Sequence, residues 1–151
     1  MKERVAPIDL GITWDPNAPD AILIVQDIGS AVLALNAAFD EPDSSCIVLR
    51  WRHPLSATMS APNDEAISGH RLYRKGLAGV SWAGRVENSE LIDRLERQNR
   101  VHDRHNPSRF LSATHYVVLT KERTIEVVAD DIEVLRLGGT TLEAAVAALD
   151  A

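Results

Sequence analysis

The chain has little of three features whose scarcity limits what it can be. A single cysteine, Cys46, among 151 residues excludes an internal disulfide and any metal site built on a cysteine pair. Only 5% of residues are aromatic, and no apolar run approaches the roughly 20 residues that span a bilayer. The N-terminal residues 1–9 hold two cations but no apolar segment of signal-peptide length. We therefore expect a cytoplasmic protein with no membrane partner, in which Cys46 is a buried, inert thiol.

The composition that remains is that of an ordinary globular protein, with 45% apolar and 25% charged residues. The length predicts one globular domain over residues 1–151. The net charge of −6 is unevenly distributed: residues 1–49 and 111–151 are acidic, while residues 50–110 carry eleven cations against seven acids. The overall sign argues against nucleic acid as a partner and leaves a local anion site in the middle segment as an option.

Hydrophobic periodicity predicts an α+β fold with a mostly antiparallel sheet. Alternation over residues 46–53 predicts a strand with Ile47, Leu49 and Trp51 on one face. Strand and helix both remain open for residues 31–37 and 132–137.

Two helices are predicted from their capping signals. One long amphipathic helix, about 88–101, begins at the N-cap pair Asn88-Ser89. A C-terminal helix, about 141–150, opens with a capping box between Thr140 and Glu143. The apolar residues of this second helix that we expect to face inward are Leu142, Ala145, Val146 and Leu149.

A β-hairpin is predicted around Lys121-Glu122-Arg123. An odd-numbered loop pairs Leu119 with Ile125 and keeps one face apolar, whereas an even-numbered loop would place Glu126 opposite Val117. We therefore prefer the odd loop and expect Glu126 on a solvent-facing side of the sheet. The alternative is a buried Glu126 held by an arginine or histidine, with a raised pKa that would make it a candidate base.

Histidines form the clearest functional clue. His102, His105 and His115 fall within fourteen residues, in a part of the chain rich in arginine. Two histidines three residues apart on a helix can share a metal, which makes these three the metal candidates. Asn106-Pro107 interrupts helical geometry there, and no H-E-x-x-H motif is present, so local capping bonds are the preferred interpretation. No metal or cofactor is assigned.

A second group of polar residues comprises Asn63, Asp64, Glu65 and His70. An amide, two acids and an imidazole within eight residues are suited to general acid/base work or to orienting a water. The preferred interpretation is structural: a polar turn in which Asn63 or Asp64 bonds its own backbone, followed by a helix turn capped by Asp64.

Five short blocks follow one another along the chain: Pro62-Asn63-Asp64-Glu65, Gly69-His70-x-Leu72, Gly76-Leu77, Val86-x-Asn88-Ser89 and Leu95-Glu96-x-x-Asn99-x-Val101-His102-x-x-His105. In this order they resemble a family of small uncharacterised bacterial proteins with no assigned reaction. The resemblance extends from about Ile8 to Ala129 and implies only that these blocks belong together. The chain departs from the family at Lys121-Glu122-Arg123, where a His-Asp-Ser type turn is expected, and at Ser60-Ala61, where glycines are usual. A site that needs the turn histidine would be incomplete here.

Together these patterns favour a cytoplasmic binding or accessory protein whose ligand is a small molecule, with an anion as one option, or a partner protein. Two alternatives stay open. One is a hydrolase-like enzyme in which the histidines and Asp64 or Glu65 hold a metal or move a proton. The other is an immunity factor or antitoxin whose acidic surface covers a basic partner. The candidate ligand-binding residues are Asn63, Asp64, Glu65, His70, Asn88, Asn99, His102, His105 and His115. The aromatic residues for which both pocket lining and core packing are considered, with core packing preferred, are Trp51, Tyr73, Trp82 and Tyr116.

Overall fold

Two antiparallel β-sheets pack face to face, and helices cover the outer face of each. The computed structural model describes residues 1–18, 20–41 and 45–150. The strands are β1 (Arg4–Pro7), β2 (Ile22–Val25), β3 (Ser30–Asn36), β4 (Cys46–Arg52), β5 (Ser56–Ser60), β6 (Ala83–Glu87), β7 (Thr114–Leu119), β8 (Thr124–Ala129) and β9 (Asp131–Leu137). The helices are α1 (Glu90–Asn99), α2 (Pro107–Leu111) and α3 (Thr141–Leu149), with 3-10 helices at Asp64–Gly69, Tyr73–Lys75 and Leu77–Gly79.

The five-stranded sheet has the order β1-β6-β7-β8-β5 and the four-stranded sheet the order β2-β3-β4-β9, with antiparallel neighbours throughout. The predicted α+β class with mostly antiparallel strands is confirmed. The two segments left open between strand and helix are the strands β3 and β9. Both pair with β4, which provides the cross-strand contacts that periodicity alone does not reveal.

The main core lies between the sheets. Leu33 and Trp51 of the four-stranded sheet pack against Val118, Ile125 and Val127 of the five-stranded sheet. The predicted alternation of β4 is confirmed, because Ile47 and Leu49 also belong to this cluster while Val48 belongs to the cluster on the other face. Cys46 is buried, as expected, and burial raises the pKa of its thiol.

Helix α3 covers the outer face of the four-stranded sheet. Its predicted capping box is confirmed, since Thr140 Oγ1 accepts from the backbone N–H of Glu143 while the Glu143 side chain accepts from the backbone N–H of Thr140. The predicted inward face was partly wrong. The buried residues are Thr141, Ala144, Ala145 and Ala148, whereas Leu142 and Val146 are about half exposed. Small alanine side chains let the helix lie close to the valines of β3 and β4.

Helix α1 begins as predicted, with Ser89 as N-cap accepting from the N–H of Ile92. A long helix over about 88–101 is not confirmed, because α1 has ten residues and α3 has nine. Asn88 adopts a left-handed backbone with φ of 53°, which places it outside the helix.

The predicted register of the β7–β8 hairpin was wrong. Leu119 pairs with Thr124, so four residues connect the strands and Val117 stands opposite Glu126. The prediction of an odd-numbered loop assumed that one face of the hairpin is apolar and that the other faces solvent. Both faces of β8 are buried, because α1, α2 and the 3-10 helices cover the side away from the main core. Glu126 is consequently buried, which corrects the expectation that it faces solvent.

Within residues 1–18, 20–41 and 45–150, no helix has both the length and the apolar character needed to cross a membrane.

Candidate functional site

Glu126 organises a polar network beneath the outer helical layer of the five-stranded sheet. Its Oε1 lies 2.9 Å from Nε2 of His115, a side chain with no exposed surface. Arg71 binds both carboxylate oxygens of Glu126: Nη1 donates to Oε2 at 2.9 Å and Nη2 donates to Oε1 at 2.6 Å. Nε2 of His70 lies 3.5 Å from Oε2. Ser89 completes the group, since its Oγ lies 2.7 Å from Nδ1 of His115. We call these five residues the Glu126 network.

Glu126 is the common acceptor of the hydrogen bonds in this network. The ionised Glu126 carboxylate can only accept, so Nε2 of His115 carries a proton and donates to it. With the proton of the ring on Nε2, Nδ1 is the acceptor for the Ser89 hydroxyl, whose oxygen in turn accepts from the Ile92 N–H. Nδ1 of His70 likewise accepts from the backbone N–H of Leu72 at 3.0 Å, which puts the proton of that ring on Nε2, toward Glu126. Both histidines therefore face the carboxylate as donors.

The ionisation of the network follows from these bonds. Burial acts to raise the pKa of Glu126, but the hydrogen bonds from His115 and Arg71 outweigh it and hold the pKa well below its ordinary value. Burial lowers the pKa of His70 despite the nearby carboxylate, which favours the neutral ring. The raised pKa considered for a buried Glu126 is therefore wrong, because its partners stabilise the anion more strongly than burial opposes it.

Serine, histidine and glutamate are also the residue types of a hydrolase triad, and the geometry argues against that role here. Ser89 is committed to capping α1, and the His115 ring is fully buried between β7 and that helix. Both donor nitrogens point at Glu126 with their protons, so neither presents a lone pair for a metal. Across the described parts of the chain, no three histidine, cysteine, aspartate or glutamate side chains are arranged to hold a metal ion. The network is suited to holding α1 and the segment around His70 on the sheet.

The other histidines make local contacts. His102 is exposed, and its Nδ1 accepts from the Arg104 N–H. Nδ1 of His105 accepts from the amide of Asn99 at 2.9 Å, and its ring lies 5.7 Å from that of Phe110. Within the described residues, neither His102 nor His105 makes a hydrogen bond or ion pair with His70 or His115. The structure thus brings together His70 and His115 rather than the three histidines that are close in sequence.

The remaining predicted residues lie in three different places. Asn88 lies in an open groove beside the N-terminal strand, where its amide donates to the Lys2 carbonyl at 3.2 Å. Glu65 is exposed. Asn63 and Asp64 lie elsewhere, on the wall of a cleft that none of the predicted histidines line.

This cleft has a volume of about 550 Å³, and four segments meet around it: residues 14–17, the 3-10 helix Asp64–Gly69, residues 80–82 and the β7–β8 hairpin tip. We call it the tryptophan cleft; the side chains that give it its character are Trp14, Asn17, Asn63, Asp64, Trp82 and Lys121. The two indole rings meet edge to face with centroids 5.7 Å apart, and both pack against the end of the main core. A smaller adjoining cleft of about 360 Å³ shares Trp14 and Lys121.

Backbone hydrogen bonds hold the walls of the tryptophan cleft in place. The N–H of Asp64 donates to the Lys121 carbonyl at 3.0 Å, and Asn63 caps the 3-10 helix by accepting from the N–H of Ala66. The N–H of Leu119 donates to the Trp82 carbonyl at 2.7 Å. Trp14 is fixed by a bridge to Ala37 next to β3. The expected turn in which Asn63 or Asp64 bonds its own backbone is confirmed at Asn63, whereas the expectation that Asp64 caps the helix was wrong, because Asn63 is the cap and Asp64 the first helical residue. Asp64 lines the cleft.

Several polar groups of the cleft have no partner in the protein. Among the described residues, the side chains of Lys121 and Asp64 make no hydrogen bond or ion pair, and the indole N–H groups of Trp14 and Trp82 donate to no acceptor. This combination of an aromatic wall and polar groups that are free to bond a ligand is typical of small-molecule sites. Sequence reasoning placed Asn63 and Asp64 near a pocket but missed Trp14 and Lys121. Trp14, which forms an isolated bridge with Ala37, and Lys121, at the hairpin tip, line the same cleft only because of tertiary contacts.

Comparisons with protein-family models, with curated proteins and with solved structures find no match for this chain.

Proposed function

We propose that the protein is a cytoplasmic binding protein that holds a small molecule in the tryptophan cleft. The observation that carries this proposal is the pair of partly buried indole rings, Trp14 and Trp82, whose N–H groups have no acceptor among the described residues. Partly buried indole N–H groups usually find a hydrogen-bond partner, so a ligand that supplies an acceptor gains both a bond and apolar contact.

The dimensions of the cleft support the same proposal. A volume of about 550 Å³ falls within the range of about 300–1,000 Å³ that is usual for small-molecule sites. Its walls combine apolar side chains, such as Ile67 and Val80, with a few polar ones. A ligand of this size would exchange ordered water for contact with two aromatic rings.

A rigid frame also supports binding, because a preformed site loses little conformational entropy when the ligand arrives. The 3-10 helix that carries Asn63 and Asp64 ends at His70, which the Glu126 network holds on the sheet. The same wall is joined to the hairpin by the bond from Thr124 Oγ1 to the Pro62 carbonyl at 3.0 Å. We therefore assign the Glu126 network a supporting role, outside the ligand contact surface.

Isothermal titration calorimetry with four chemically distinct probes tests the proposal: benzoate, adenosine, maltose and L-tryptophan. We expect at least one probe to bind the wild-type protein at submillimolar concentration. Trp14→Ala should weaken that probe about tenfold or more, because one stacking wall is lost.

The matched control is Phe39→Ala, which removes a fully exposed aromatic side chain that lies outside the cleft lining. This variant should bind the same probe as tightly as the wild type does. Lack of binding by all four probes at 10-fold higher concentrations, or equal weakening by Trp14→Ala and Phe39→Ala, would overturn the proposal. Lys121→Met, at an exposed residue without side-chain partners, serves as a second cleft variant if Trp14→Ala does not fold.

A further inference from the structure

We infer that the ligand of the tryptophan cleft is a small zwitterion, with an anionic group facing Lys121, a cationic group facing Asp64 and an apolar body against the two indoles. This is the chemistry of an α-amino acid or a short peptide. The inference rests on the proposed function, since it names the class of ligand for the same cleft.

The first step of the argument is the charge of the walls. Among the lining residues that the structure describes, Lys121 is the one base and Asp64 the one acid. A ligand with a single negative charge meets an attractive Lys121 and a repulsive Asp64, and a ligand with a single positive charge meets the reverse. A ligand with both charges satisfies both walls, and specificity arises from the repulsion as much as from the attraction.

The second step is that these two charges are not used to stabilise the fold. Their backbones are joined by the Asp64 N–H to Lys121 carbonyl bond of 3.0 Å, yet their side chains form no ion pair within 4.0 Å. Both side chains are exposed and line the same cleft without pairing, which leaves both charges available to a ligand.

The third step is the apolar surface between them. Trp14 and Trp82 pack edge to face against each other with centroids 5.7 Å apart, and both line the cleft. An apolar or aromatic ligand body packs on such a surface, and a ligand ammonium over an indole face gains a cation–π contribution. The cleft volume of about 550 Å³ accommodates an amino acid with a large side chain.

Three probes that share the indole ring and differ in charge provide the test. L-Tryptophan carries both charges, tryptamine lacks the carboxylate and indole-3-propionate lacks the ammonium. We expect calorimetry to show L-tryptophan binding about tenfold more tightly than either of the others, because each of them loses one charge-assisted hydrogen bond.

Two variants assign each charge to its wall. Lys121→Met should weaken L-tryptophan about tenfold but strengthen tryptamine, because the repulsion of its ammonium by Lys121 is lost. Asp64→Asn should weaken L-tryptophan about tenfold but strengthen indole-3-propionate, because the repulsion of its carboxylate by Asp64 is lost. The matched controls are Lys2→Met and Asp93→Asn, which make the same changes at exposed residues that do not line the cleft. Neither control should alter binding of any probe.

The outcomes separate this inference from the function on which it rests. Indole-3-propionate or tryptamine binding as tightly as L-tryptophan would overturn the zwitterion, as would equal effects of Lys121→Met on L-tryptophan and tryptamine. In those cases the proposed function stands as long as binding still depends on Trp14. Preferential binding of maltose or adenosine would likewise refute the zwitterion alone. Absence of binding by every probe would refute both.

Discussion

Glu126 Oε1 lies 2.9 Å from Nε2 of His115 on the face of the five-stranded sheet that points away from the main core. This contact joins neighbouring strands and, through Ser89, reaches the first turn of α1. Arg71 binds the carboxylate of Glu126 from the solvent side, and the Arg71 side chain is about half exposed. The fold thus keeps one ionised carboxylate inside the molecule by surrounding it with donors, and removing that charge has measurable consequences.

Replacing Glu126 with glutamine should lower the free energy of unfolding by about 2–3 kcal/mol. The amide of glutamine brings two N–H hydrogens into a site where Arg71 and His115 already donate. The fully buried imidazole of His115 also loses its charged acceptor. Urea denaturation at pH 7 measures the change. The same substitution at Glu122, an exposed residue of the hairpin tip, should stay within about 0.5 kcal/mol of wild type. Equal stability of the two variants would contradict the structural role of the network.

The stability difference between wild type and Glu126→Gln should shrink in acid. The pKa of Glu126 is lower in the folded than in the unfolded protein, so its contribution is complete above the ordinary value of 4.5 and is lost as pH falls below it. Urea midpoints measured between pH 6 and pH 3 should therefore converge for these two proteins. A gap that stays constant over that range would show that the carboxylate is not preferentially ionised in the folded state.

His70→Asn should reduce the loss of stability that the wild type suffers between pH 7.5 and pH 5.5. Because burial lowers the pKa of His70, the unfolded chain binds the proton more readily, and stability is lost as pH falls through the ordinary value of 6.5. Asparagine keeps an acceptor for the Leu72 N–H without titrating. His102→Asn, at an exposed ring, is the control and should retain the wild-type pH dependence. The result to be compared is the difference in unfolding free energy between the two pH values, and identical slopes in both variants would argue against this assignment.

Ser89→Ala should cost more stability than Thr140→Ala, although both remove an N-cap hydroxyl. Loss of a cap costs about 1 kcal/mol in either helix. At Ser89 the substitution also leaves Nδ1 of the buried His115 without its donor, which adds about 1–2 kcal/mol. Thermal or urea unfolding of both variants measures the difference. If Thr140→Ala is as costly as Ser89→Ala, the bond between Ser89 and His115 contributes nothing beyond the cap.

The elements that could be predicted from the sequence are those determined by local chemistry. The cap at Ser89, the capping box at Thr140 and the alternation along β4 depend on residues a few positions apart, and the structure confirms all three. The hairpin register failed for a nonlocal reason. Glu126 indicates a solvent-facing side only when no partner is present, and its partner Arg71 lies 55 residues away in sequence.

In the candidate site, too, the residues that could be predicted are those whose position depends on local sequence. Asn63 and Asp64 could be placed at a turn because asparagine and aspartate cap short helices through local bonds. Trp82 was considered both for a pocket and for the core, and it serves both, since its ring packs on the main core and lines the cleft. Trp14 and Lys121 were missed because only the tertiary fold brings residues 14–17 to the hairpin tip. The histidines close in sequence were misleading, since proximity along a chain that turns at Asn106-Pro107 does not imply convergence.

The packing of α3 can be tested with the same substitution on its buried side and on its exposed side. Ala145 is fully buried against the four-stranded sheet, so Ala145→Leu forces extra methyl groups into close-packed space and should destabilise the protein by about 1–3 kcal/mol. Ala147 is exposed, and Ala147→Leu should change stability by less than about 0.5 kcal/mol, since leucine and alanine are both good helix formers. Urea denaturation distinguishes the two. Equal losses at Ala145 and Ala147 would contradict the close packing of Ala145 against the sheet.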